Sequence, residues 1–166
     1  LRRRIGYMPE TDSFIPRLSG VRFVAYAGQL SGLPRRDAMT RAHEVLHFVG
    51  LKDERYRPCE TYSQGMRQRL KLACALVHDP EWLLLDEPFG ALDTETRRSM
   101  QQLLKRVAKD LGLTAIFVTH DLKDQVLQAV DERVKGRFDE VIIYSFDSQD
   151  GKGLLDLLPA SATKQT

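Results

Sequence analysis

The sequence has no apolar run approaching the roughly 18–20 residues needed to cross a bilayer. Any work at a membrane would therefore need a separate spanning partner. No secretory leader opens the chain. It has only two cysteines, Cys59 and Cys74, in neither a C-x-x-C nor a Cys/His metal spacing, so both read as free thiols of a reducing, cytosolic compartment. Charge of one sign is also lacking: 25 Lys and Arg stand against 23 Asp and Glu, a net +2 that argues against nucleic acid as a bulk partner. The triplet Arg2-Arg3-Arg4 reads as a solvated chain end. There is no internal repeat, and no initiating Met. The chain begins at Leu1 with an element that reads as the middle of a domain, so a truncated N-terminus is expected.

What is present fits a globular domain. The 166 residues give room for one domain with a sizeable core. Ile5-Gly6-Tyr7-Met8 reads as a short strand stopped by Pro9. Ser19 is placed to cap a helix with Leu18, Val21, Ala25 and Gln29 on one face and Gly32 as its stop. After Pro34, Ala38, Ala42, Val45, Leu46 and Val49 recur with a helical period closed by Gly50. Ser63 caps a third helix whose stripe is Met66, Leu70, Ala73 and Val77. Trp82-Leu83-Leu84-Leu85 is a continuous apolar run, as expected of a strand buried on both faces.

Thr94 opens an amphipathic helix with Met100, Leu103, Leu104, Val107 and Leu111 toward the core and Gly112 at its end. Thr114-Ala115-Ile116-Phe117-Val118-Thr119 is another buried strand, with a helix expected over 121–129 and a further strand at Val141-Ile142-Ile143-Tyr144. Alternating strands and helices with short joints predict an α/β fold, a parallel sheet with crossover helices, preceded by a helical block.

The chemistry concentrates in Tyr62-Ser63-Gln64-Gly65-Met66-Arg67-Gln68-Arg69-Leu70 and, twelve residues on, Trp82-Leu83-Leu84-Leu85-Asp86-Glu87-Pro88. In parallel-sheet nucleotide enzymes the ligand sits beyond the carboxyl ends of the strands, so an acid just after an apolar strand is aimed at the site. Asp86 is a candidate Mg²⁺ group, and Glu87 a candidate to polarise an attacking water. Ser63 and Gly65 open a helix whose first N–H groups and dipole form an anion site. Read alone, each has a plainer meaning: a polar strand end and an ordinary cap.

The ordered set changes that balance. Ser63-Gln64-Gly65, Asp86-Glu87, Ala91-Leu92-Asp93 and Thr119-His120-Asp121 resemble the signature, Walker B, D-loop and switch-histidine motifs of ATP-binding cassette (ABC) ATPases, in good register from about Ile5 to Ala129. The resemblance implies a partial P-loop NTPase of the RecA-like type joined to an ABC helical subdomain. Its parts would be 1–10 as a core strand end and Q-loop, 11–80 as the helical subdomain, 81–146 as the partial ATPase core and 147–166 as a divergent tail.

It also implies roles. Glu87 would be the general base and His120 the γ-phosphate switch. Asp86 would hold Mg²⁺, while Ser63, Gln64, Gly65, Asp93 and Glu10 would contact nucleotide. The implied cofactors are ATP and Mg²⁺. The implied partners are a second ATPase subunit, forming a dimer, and transmembrane permease subunits, with the chain cytoplasmic and peripheral to the inner membrane. His43, His47 and His78 lack such context and read as helix-surface or helix-end residues.

Several positions depart from the family pattern. Glu10 stands where the Q-loop glutamine is usual, Gln64 where the first signature glycine is, Met66 where its final glutamine is, and Cys74 where arginine is. The signature form resembles the ABC-2 or export-type branch, whereas Glu87-Pro88-Phe89-Gly90-Ala91-Leu92-Asp93 resembles importers. Past Ala129 the match decays. G-x-x-x-x-G-K-[ST], the Walker A P-loop, occurs nowhere, so the chain alone is expected to bind MgATP poorly and to be inactive alone. Two rivals to a transport ATPase remain open: an ABC-type ATPase of DNA repair or translation, and a degenerate fragment acting only as an interaction module.

Overall fold

A computed structural model describes residues 4–119 and 142–145. Four strands form one sheet in the order β1 (Ile5–Met8), β2 (Trp82–Asp86), β3 (Thr114–Thr119) and β4 (Ile142–Ser145), and every pair is parallel. Parallel neighbours require long crossovers. Between β1 and β2 run α1 (Gly20–Leu30), α2 (Arg35–Phe48), two short 3-10 turns and α3 (Gln64–Leu76); α4 (Thr94–Leu111) joins β2 to β3. The expected helix at 121–129 lies outside the described residues.

One hydrophobic cluster joins the sheet to the helices. It takes Met8, Leu83, Leu85, Ala115 and Phe117 from the strands, and Val24, Leu46, Leu70 and Val107 from the four helices. Each fully buried Leu contributes on the order of 1.5–3 kcal/mol. The strand at 82–86 is not buried on both faces as the apolar run suggested. Leu83 and Leu85 are buried while Trp82, Leu84 and Asp86 are half-buried, and Tyr7, paired with Leu84, is 50% exposed. The cluster takes alternate side chains because a strand turns successive residues to opposite faces.

The other differences are local. The buried face of α1 is Val21, Val24, Ala25 and Gly28, while Gln29 is exposed and bonds back to the Ala25 carbonyl. The stripe shifts because a Cβ at Gly28 would already touch Val77 and Ala38 at 3.2 and 3.3 Å, so this side of α1 is the one that approaches its neighbours. Leu111, expected in the core, is 45% exposed; it occupies the last turn of α4, just before Gly112 leaves the helix with φ +61°. The face of α2 is as anticipated, with Ala38, Ala42, Val45 and Leu46 buried and Gly50 at φ +83° beyond it.

Gly6 shows how tightly the sheet meets the signature helix. A Cβ there would sit 2.2 Å from the Ala75 carbonyl oxygen, so only glycine lets β1 lie against α3.

Candidate active site

The sequence-derived site residues fall into two groups, strand ends and helix N-termini. Asp86 is the last residue of β2 and Glu87 follows it. Glu10 lies two residues past β1, whose Met8 pairs with Leu85. His120 would follow β3 in the same way but lies outside the described residues. Adjacent parallel strands thus bring Glu10, Asp86 and Glu87 past the same, carboxyl end of the sheet.

The turn after β2 is held from below. Phe89 is 1% exposed and stacks on Phe117 with ring centroids 6.3 Å apart, and Leu92 is 5% exposed. The Glu87 N–H donates to the Val118 carbonyl at 2.9 Å, and the Gly90 N–H to the Glu87 carbonyl at 3.0 Å. This tight return forces Glu87 to φ +43° and Ala91 to +55°, the left-handed region that side chains other than glycine occupy at a cost of about 1–2 kcal/mol. Such strain concentrates where a side chain must be aimed.

Asp86 has a partner that the sequence did not reveal. The Tyr7 hydroxyl donates to Asp86 Oδ2 at 3.0 Å. Burial first, then this hydrogen bond, push the Tyr7 hydroxyl above its ordinary pKa. Period-two alternation places Tyr7 on the Asp86 face of the sheet, but their pairing required the register of two distant strands.

At the helix N-termini, Ser63 caps α3 as anticipated: its Oγ accepts the Met66 N–H at 3.3 Å. Tyr62, 3% exposed, anchors that turn by donating to the Glu54 carbonyl at 2.6 Å. Gln64 is exposed and Gly65 half-buried. Asp93 proves to be the N-cap of α4, accepting from Thr96 N at 3.0 Å and Glu95 N at 3.1 Å. Hydrogen bonds from Thr96, then Glu95, hold its carboxyl below the usual carboxylate range. Ser63 and Asp93 are thus exposed caps at the N-termini of two helices, each bonded to N–H groups of its own first turn and set at the positive end of the helix dipole.

The segment carrying Glu10 is fastened to α3. Lys71, 4% exposed, donates from Nζ to the Glu10 carbonyl at 2.8 Å and lies 3.3 Å from Asp12 Oδ1. Arg67, one turn earlier, is 3.3 Å from Asp12 Oδ2. Neither Lys71 nor Asp12 was singled out from sequence; the i, i+4 spacing of Arg67 and Lys71 was the only local hint.

Comparison with known proteins agrees with the motifs. The family described as "ABC transporter" matches residues 1–90, more than half of the chain. The uncharacterized ABC transporter ATP-binding protein YxlF of Bacillus subtilis is 40% identical over 123 residues, covering 74% of this chain and 41% of the relative. The aliphatic sulfonates import ATP-binding protein SsuB of Rhodopseudomonas palustris is 52% identical over 104 residues, covering 59% and 37%. A solved dimeric ATP-binding cassette in a post-hydrolysis state, bound to ADP and Pi, superposes with a TM-score of 0.61 at 30% identity, covering 73% of this chain and 54% of that one. The chain thus spans less than half the length of these two curated relatives.

Proposed function

This chain belongs to the ABC transporter family, and we propose that it acts in an ATP-hydrolysing subunit that couples hydrolysis at a dimer interface to movement of a substrate across a membrane. The observation that carries the reading is the position of Asp86 and Glu87, immediately past the carboxyl end of a strand flanked by parallel neighbours.

Asp86 fits a magnesium role. It offers one half-buried carboxylate, and among the described residues no group of three or more His, Cys, Asp or Glu gathers into a protein cage. A single strand-end carboxylate suits an ion held otherwise by waters and nucleotide phosphates, and Mg²⁺ held there would neutralise charge on the phosphoryl oxygens. Tyr7 orients the carboxylate by occupying Oδ2. Glu87, fixed by its strained turn, is the proposed general base that orients water. Ser63, Gln64 and Gly65 would bind the terminal phosphate of ATP on a second copy, with Asp93 beside them and His120 as the switch. Glu10 would sense the occupied site, and its carbonyl bond to Lys71 ties it to α3.

The 166 residues contain no G-x-x-x-x-G-K-[ST], so they supply the strand-end and trans-acting parts of the site and not the cradle that holds ATP in cis. We read 11–80 as the helical subdomain and 81–146 as the partial core. An open groove of about 660 Å³, lined by Ile15, Leu18, Arg22, Tyr26, Arg35 and Met39 among others, is the proposed seat of a permease subunit. No described helix is long and apolar enough to cross a membrane; the proposed position, cytoplasmic and peripheral to the inner membrane, rests on that partner alone. The form of residues 62–70 supports the export-type branch, while that of residues 87–93 is importer-like, as is the name of SsuB.

The test is Glu87→Gln in the natural-length protein. ATP hydrolysis should fall by about a hundredfold or more while ATP binding persists. Hydrolysis at the original rate would remove Glu87 from this role.

A further inference from the structure

The two helices that present Ser63 and Asp93 meet along a seam. A Cβ on Gly65 would lie 2.6 Å from Thr96 Cγ2, well inside contact, so only the glycine hydrogen fits. Thr96 cannot easily yield. Its side chain is β-branched and stiff at χ1, and its own N–H is held by Asp93 Oδ1 at 3.0 Å. One turn further along both helices, Arg69 Nη2 donates to Ser99 Oγ at 2.7 Å, while its Nη1 donates to the Val49 carbonyl at 2.6 Å. Arg106 of α4 reaches the same end of α2, donating to the Phe48 carbonyl at 2.9 Å. These bonds fix α3, α4 and the last turn of α2 relative to one another.

Thr96 therefore joins both turns, its methyl against Gly65 and its amide on Asp93. We propose that Thr96 is a positioning residue whose γ-methyl sets the offset between the signature turn and the D-loop aspartate, so that the two approach a second copy's nucleotide as one rigid unit. The proposal rests on the trans-acting reading of Ser63 and Gly65, and adds the residue that holds their geometry to that of Asp93.

The test compares Gly65→Ala alone and combined with Thr96→Ser or Thr96→Val in the natural-length protein. Two readouts are used: the melting temperature, and the subunit concentration for half-maximal dimerisation with Mg²⁺ and a non-hydrolysable ATP analogue. Gly65→Ala should lower the first and raise the second by about tenfold or more. Adding Thr96→Ser, which removes the methyl, should restore the melting temperature and bring the half-maximal concentration back to within about threefold of the original. Adding Thr96→Val, which keeps the methyl, should restore neither. A Thr96→Ser double variant no better than Gly65→Ala overturns the positioning role and leaves the Glu87 result untouched. Restored melting with dimerisation unaffected throughout overturns the trans-acting reading, and the positioning role with it.

Discussion

The fastening of Glu10 to α3 yields an asymmetric prediction. Lys71 is 4% exposed, and its ammonium meets one carboxylate oxygen, Asp12 Oδ1 at 3.3 Å, and one carbonyl, Glu10 O at 2.8 Å. The Asp12 side chain is 26% exposed and also has Arg67 at 3.3 Å. Asp12→Asn leaves a buried ammonium without its counter-ion. Stripping one partner from a buried pair costs about 3–5 kcal/mol. The Glu10 carbonyl and the new amide oxygen offset part of this, which brings the expected loss to about 2 kcal/mol. Lys71→Met removes the buried charge itself and fills the space with a side chain of similar length. Asp12 then keeps Arg67 and partial hydration, so the loss should be about 1 kcal/mol or less.

The double variant should resemble Lys71→Met, giving a coupling energy of about 1–2 kcal/mol. Urea unfolding at constant m-value measures all three. A loss from Lys71→Met equal to or above that from Asp12→Asn would refute the claim that burial of the ammonium dominates. So would a coupling energy near zero.

Glu87 and His78 give two further tests. If Glu87 is held at φ +43°, Glu87→Gly should unfold about 1 kcal/mol harder than Glu87→Gln, because glycine occupies that region without the Cβ penalty; the reverse order would show the turn is unstrained. His78 donates from Nε2 to the Ile5 carbonyl at 3.1 Å, and its buried Nδ1 has no hydrogen-bond partner among the described residues. Burial pulls its pKa below 6.5, against smaller opposing effects of the Ile5 carbonyl and Asp79. On acidification the unfolded chain therefore takes up this proton first, and stability is lost as pH falls below about 6.5. The drop in melting temperature between about pH 7.5 and about pH 5.5 should shrink in His78→Gln. An unchanged drop would mean that His78 does not titrate differently on unfolding.

Local chemistry was enough to read much of this protein from its sequence. The period of Ala38, Ala42, Val45 and Leu46 sets the buried side of α2, because a helix brings residues four apart onto one face. Ser63 is legible as a cap because its hydroxyl needs only the N–H three residues on. Asp86 and Glu87 are legible as strand-end acids because an apolar run precedes them directly. The α/β class and the parallel pairing follow from strand and helix alternating along the chain.

Tertiary structure decided which distant residues meet. Tyr7 reaches Asp86 across 79 positions, and Lys71 reaches Glu10 across 61. No periodicity encodes such pairs; they exist only once the strand register and the crossing of β1 over α3 are set. The Gly65–Thr96 contact is of the same kind: each residue suits its own helix start, and only the packed seam makes one constrain the other. Burial likewise belongs to the assembled sheet. Residues 82–85 are uniformly apolar, yet only alternate side chains enter the core, because the pleat and the helices laid against it choose the face. The sequence supplied the chemical groups and the elements bearing them, and packing supplied the partners that aim those groups.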